Sequence, residues 1–136
     1  EYKNGNVENT VVCTESEEIK MPMSVIVNQN TTGTSELFAF ALADKCGAHT
    51  VGKTTAGKGY LQTAYTCSDG SVVMLSTAIL RTEKSGDFNG VGLKPEFDVT
   101  LSSDVDLNTI SDEAAVLTDA QLIKALEVTV PKDTAE

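Results

Sequence analysis

The amino-acid sequence predicts a mixed α/β fold. Three observations carry that expectation. A short β-branched run, Met23-Ser24-Val25-Ile26-Val27, precedes a helical pattern and then a second extended piece, His49-Thr50-Val51-Gly52. Together they describe a parallel β-α-β unit. Two further extended stretches, 60–66 and 72–80, flank the turn signal Ser68-Asp69-Gly70-Ser71 and describe a hairpin. A last amphipathic helix starts after Asp119. With 136 residues and 40% of them hydrophobic, the chain is one domain with enough apolar material for a core.

The elements follow in order. Residues 1–20 are polar apart from Val11-Val12-Cys13 and read as an irregular arm or edge strand. Pro22 punctuates before the first strand, and Asn28 to Thr34 is a polar loop. Thr34 or Ser35 can cap the helix that follows, and Glu36 sits in its first turn, where a negative charge suits the dipole. Leu37, Phe38, Ala41 and Leu42 have helical spacing and predict its apolar face. Lys45 falls in the last turn and Gly47 is a C′ stop. Arg81 to Gly92 reads as a glycine-rich loop and Pro95 to Val99 as a short extended piece. From Glu96 to Asp119 there are seven acids and no Lys or Arg, the pattern of a solvated loop. Asp104-x-Asp106 offers carboxylates, but the spacing and terminal Glu of a calcium loop are missing. The last helix places Leu122, Ile123, Ala125 and Leu126 on its apolar side, and 131–136 is a polar tail.

Charge excludes whole classes of function. Twenty acidic and ten basic residues give a net charge of −10. Neutralising nucleic-acid phosphates needs clustered Lys and Arg, and so does docking on an anionic membrane. No apolar run is long enough to span a bilayer. The single histidine, His49, rules out a zinc site of several His ligands. The three cysteines, Cys13, Cys46 and Cys67, form no C-x-x-C and read as buried reduced thiols, with one bridge and one spare thiol as the alternative.

Gly52-Lys53-Thr54-Thr55-Ala56-Gly57-Lys58 fits seven positions of a phosphate-binding loop. The eighth should be Ser or Thr for magnesium, but it is Gly59, and residues 60–66 look like a strand where a helix is required. The motif therefore fails.

A second constellation survives. The loop Asn28–Thr34 leads into a helix N-terminus, which suits an oxyanion or an activated hydroxyl. Lys58 lies between Gly57 and Gly59 with room to approach another backbone, and Gln62 follows. A desolvated lysine can act as a general base. On the residues alone, a solvated loop lysine and a polar strand glutamine are the favoured reading.

Several ordered motifs resemble the carboxyl-terminal processing (tail-specific) protease family. They are Met23-Ser24-Val25-Ile26-Val27-Asn28, Asn30-Thr31-Thr32-Gly33-Thr34-Ser35-Glu36-Leu37-Phe38 and Val51 to Gly59. Gln62-Thr63, Asp69-Gly70-Ser71, Leu75 to Ala78, Gly90 to Glu96 and Asp119-x-Gln121-Leu122-x-x-Ala125-Leu126 continue the series. The resemblance implies a crotonase/ClpP-like α/β core with β-α-β units, a hairpin and a C-terminal helix. It implies peptide-bond hydrolysis near protein C-termini by a Ser/Lys dyad, with no metal or cofactor. It implies a polypeptide or peptide C-terminus as partner, and an extracytoplasmic location. Lys58 takes the place of the general base and Gln62 that of the residue orienting it. The backbone at Thr34 falls at the oxyanion end of the helix. In a regular strand, residues four apart lie about 13 Å from each other, so Lys58 and Gln62 meet only if the chain bends near Gly59.

Two departures matter. The family's nucleophilic serine stands three residues before the glutamate, and here that position is Gly33. Thr32, Thr34 and Ser35 carry neighbouring hydroxyls, but none occupies it. The family's peptide-binding PDZ domain and its Asn-Pro-Gly-Gly segment are also outside these 136 residues. The resemblance therefore reads 21–130 as the C-terminal part of a catalytic domain, inactive as written. Three readings stay open: a protease part with a replaced nucleophile, a pseudoprotease that binds peptides, and a structural or interaction domain without a site. Oligomeric state is not legible.

Overall fold

The β-α-β unit forms around β1 (Ser24–Val27), α1 (Thr34–Cys46) and β2 (His49–Gly52). The computed structural model describes Tyr2 and residues 4–6, 20–82, 84–102 and 118–130. The strands β1 and β2 are parallel, with Ser24 opposite His49 and Val27 opposite Gly52. A third strand, β7 (Phe97–Asp98), adds to the other side of β2, also parallel, giving the order β1-β2-β7. Its position matches the extended piece expected at Pro95–Val99. The register at the end of β1 depends on Gly52: a Cβ there would lie 1.9 Å from the carbonyl oxygen of Val27.

Side chains alternate across the sheet. Val25 and Val27 face one way, into a core of Ala39, Phe40, Phe88 and Leu93. Ser24 faces the other way, where its Oγ donates to the Ala125 carbonyl at 3.2 Å. That places the second helix, α2 (Ala120–Thr129), on the opposite face from α1. Gln121 is buried beneath α2, and its Nε2 donates to the Val99 carbonyl at 2.8 Å.

Each helix buries a face that overlaps the expected one only in part: Leu37 packs against the core and Ala125 is buried, as expected. In α1 the buried residues are Glu36, Ala39 and Phe40, while Phe38 is 66% exposed. In α2 they are Gln121 and Ala125, while Ile123 and Leu126 stand in solvent. Phe40 and Ala39 carry the apolar contact of α1, with Leu37 packed at its margin, while α2 contacts the sheet through Gln121 and Ala125. The caps divide likewise. Asp119 caps α2, accepting the N–H groups of Gln121 and Leu122. Helix α1 is not capped by Thr34 or Ser35; its N-cap is Gly33, and the Gly47 stop is left-handed as expected.

The hairpin joins β3 (Tyr60–Thr66) and β4 (Val72–Ile79) as antiparallel partners, with a register shift between Leu61 and Gln62. The expected loop at Arg81–Gly92 contains a small ribbon, β5 (Arg81–Thr82) with β6 (Gly86–Asp87). Cys46 and Cys67 are free and exposed, which corrects the reading of buried thiols. Cys13, most of the 1–20 arm, the acidic segment around Asp104 and Asp106, and the 131–136 tail lie outside the described residues.

Candidate functional site at the entry to helix α1

The chain leaves β1 through a tight turn. The Thr31 N–H donates to the Asn28 carbonyl at 2.9 Å, and the Asn28 N–H returns to Thr31 Oγ1 at 3.1 Å. The turn ends at Gly33, with φ 62° and ψ −121°. L-residues rarely hold that backbone conformation, and it is found where a structure over-determines it. A Cβ at Gly33 would lie 3.9 Å from the Lys58 carbonyl oxygen, ordinary contact distance. The position has room for a side chain; only the backbone resists one.

A second loop lies against this turn. The Lys53 N–H donates to the Val27 carbonyl and the Ala56 N–H to the Thr31 carbonyl, both at 2.9 Å. A third loop, Asn89–Leu93, closes the other side. Thr55 N–H donates to the Leu93 carbonyl at 3.2 Å, and the Gly90 N–H donates to the Gly57 carbonyl at 2.8 Å. The backbones approach so closely that only glycine fits: a Cβ at Gly57 would lie 2.7 Å from the Gly92 nitrogen, and one at Gly59 2.8 Å from the Asn89 nitrogen. The glycines beside Lys58 thus do let this loop meet another backbone, and that backbone is 89–92.

One carboxylate sits where the loops converge. Glu36 is fully buried. Its Oε2 accepts the Gly33 N–H at 2.8 Å and the Lys58 N–H at 2.9 Å. Its Oε1 accepts the Gly57 N–H at 2.8 Å and a short hydrogen bond from Thr55 Oγ1. Burial pushes the carboxyl pKa up, but the hydrogen bonds from Thr55, Gly57, Gly33 and Lys58 outweigh it, and the net shift is downward. Glu36 is therefore ionised at neutral pH although no water reaches it.

The structure brings some of the expected residues together and leaves others apart. Gly33 and Lys58 are neighbours through their backbones. The Lys58 side chain is exposed and turns its Nζ over the Tyr60 ring, 5.5 Å from the centroid. Gln62 stands exposed on β3, and among the described residues no hydrogen bond joins it to Lys58. The irregularity in this strand falls at Leu61/Gln62, two residues beyond the expected Gly59. Thr34 opens α1, so its N–H is among those a helix leaves unpaired. Thr31, Thr34 and Ser35 line a groove beside β1 together with Val25, Ile26 and Phe38. His49 pairs with Glu96 at 2.8 Å on the far side of β2. Residues 60–66 form a strand, so the Gly52–Lys58 loop leads into no helix and cannot be a phosphate-binding loop.

Glu36 and Thr55 escaped the sequence reading as site residues. Glu36 looked like an ordinary first-turn acid, and nothing local separates Thr55 from the threonine before it. Only the fold places residues some twenty positions apart on one carboxylate.

Comparison with known proteins identifies the family. Residues 1–99 match the sequence profile of Peptidase family S41. The chain is 40% identical over 90 residues to carboxyl-terminal-processing peptidase 1, chloroplastic, of Arabidopsis thaliana, covering 66% of this chain and 18% of that protein. It is 37% identical over 102 residues to the carboxy-terminal processing protease CtpA of Bacillus subtilis, covering 74% of this chain and 22% of that one. Among solved structures, the photosystem II D1 C-terminal processing protease is similar with a TM-score of 0.54 and 35% identity, over 69% of this chain and 26% of that chain. The chain thus spans about a fifth of the length of the curated relatives it matches. The profile covers most of the described core, and the chain belongs to Peptidase family S41.

Proposed function

We propose that residues 21–130 form the C-terminal part of the catalytic domain of a serine endopeptidase of the C-terminal processing type. The core is then of the crotonase/ClpP-like kind. The observation that carries this reading is the meeting of Gly33 and Lys58 at the entry to α1: a side chain at position 33 would emerge in contact with the Lys58 backbone. A serine there would stand at a helix N-terminus, beside a lysine whose flexible side chain can swing from Tyr60 toward it. Lys58 would take the proton from that serine, Gln62 would orient Lys58, and the Thr34 N–H would help hold the oxyanion. No cofactor is needed for this chemistry. The groove lined by Thr31, Thr34, Ser35 and Phe38 lies beside β1 and is where an extended polypeptide would sit in this reading. An extracytoplasmic setting (periplasmic, cell-surface or secreted) goes with this reading.

With Gly33 in place the nucleophile position is empty and the chain does not cut as written; the alternative reading is a pseudoprotease that binds peptide without cutting it. The test uses the complete gene product. Incubation with a peptide bearing a free C-terminus, followed by mass spectrometry, should show no cleavage for the natural sequence, with binding in addition on the pseudoprotease reading. Gly33→Ser should cut the peptide, and Gly33→Ser with Lys58→Ala should not. Failure of Gly33→Ser to cut, in a folded protein, would overturn the protease reading. Cleavage by the Gly33 protein itself would instead assign the nucleophile to Thr32, Thr34 or Ser35.

A further inference from the structure

We infer that Glu36 is a positioning residue, whose buried carboxylate sets the distance between position 33 and Lys58. The inference rests on the protease reading for its catalytic meaning, but its geometry stands apart from it. An acid at the third position of a helix ordinarily reaches back to the N-cap N–H and remains at the surface. Glu36 makes that bond to Gly33, and then three more to residues 55–58 of another loop. It is fully buried, and among the described residues its hydrogen-bond partners are all uncharged donors: three N–H groups and one hydroxyl. Burying a carboxylate without a cation is costly unless its lone pairs are filled. A cap needs no such burial; a clamp does.

The arrangement fixes a spacing. Gly33 and Lys58 donate to the same atom, Oε2, at 2.8 and 2.9 Å. Their nitrogens can move apart only if one bond breaks. The Oε1 atom does the same for Gly57 and Thr55. All four partners donate, so an amide at position 36 would turn an NH₂ group toward at least one backbone N–H in either orientation: Gly57 on one side, Gly33 and Lys58 on the other. Glutamine therefore cannot replace the glutamate, and aspartate is too short to keep both loops. The Lys58 ammonium lies over Tyr60 and contributes nothing to the clamp.

The test reads the amides directly. In the full chain, the N–H resonances of Gly33, Gly57 and Lys58 should shift together on one titration curve as Glu36 is protonated. In Glu36→Gln their hydrogen exchange should quicken about ten- to a hundredfold, while the amides of β3, β4 and α2 keep their native rates. Separate titration curves, or unchanged exchange at Gly33 and Lys58 in the folded variant, would overturn the inference. If Glu36→Gln does not fold, the titration of the natural chain still decides. In the Gly33→Ser background, Glu36→Gln should lower kcat with little change in KM, and Glu36→Asp should recover part of it. If Gly33→Ser cuts no peptide, the protease reading falls while the amide measurements continue to decide this one.

Discussion

Thr55 and Leu93 hold each other twice. The Thr55 N–H donates to the Leu93 carbonyl at 3.2 Å, and the Leu93 N–H donates to Thr55 Oγ1 at 2.8 Å. The same hydroxyl donates onward to Glu36. One buried side chain therefore ties the 89–93 loop, the lysine loop and the start of α1 into a single unit. Hydrogen-bond chains in a low-dielectric interior polarise one another, and an unfilled member is costly.

The first expectation follows from that chain. Thr55→Val keeps the shape but removes the donor to Glu36 and the acceptor for the Leu93 N–H. Losing a hydrogen bond to a charged group and leaving a buried N–H unpaired should cost about 2–4 kcal/mol. Urea unfolding of Thr55→Val against Thr55→Ser, which keeps the hydroxyl, checks it. Equal stability of the two variants would contradict the role given to Thr55.

Acid should loosen the fold through Glu36. Its pKa is lower in the folded chain than in the unfolded one, because the hydrogen bonds from Thr55, Gly57, Gly33 and Lys58 outweigh burial. The unfolded chain then binds more protons in the window between the two values. Stability from this group is complete above the ordinary glutamate value of about 4.3 and is lost as pH falls through the lower folded value. Unfolding free energy measured from pH 7 to pH 3 should fall with pH below about 4.3, and Glu36→Gln should flatten that limb.

The glycines separate into two kinds. A Cβ at Gly92 would lie 2.3 Å from the Thr55 carbonyl oxygen, while one at Gly70 would meet nothing within 4 Å. Both have positive φ. Gly70→Ala should therefore cost only the backbone strain, about 1–2 kcal/mol. Gly92→Ala adds a backbone collision in the buried unit and should cost about 3 kcal/mol or more. Thermal unfolding of the two variants side by side checks the order.

Most of the architecture was legible because it depends on local signals. The parallel pair β1 and β2, the crossover helix and the hairpin follow from β-branched runs, helical spacing and the Ser68–Ser71 turn. The helix faces were legible only in part. Phe38 is exposed and Glu36 buried because the loops, and not apolar spacing, decide what lies over the start of α1. Gly33 and Lys58 could be named from motif order, but the sequence holds no sign that a shared carboxylate joins them. The small β5–β6 ribbon was missed because two-residue strands carry too little pattern to separate them from a loop.

The most direct measurement is the nuclear Overhauser effect between the amide protons of Gly33 and Lys58. Each proton should lie about 1.9 Å from the same carboxylate oxygen, so the two protons fall within about 4 Å of each other. A cross-peak between them at neutral pH, lost in Glu36→Gln, is the expected result. Two assigned amides in the folded natural chain with no cross-peak would contradict the account, because position 33 and Lys58 would then not share the clamp.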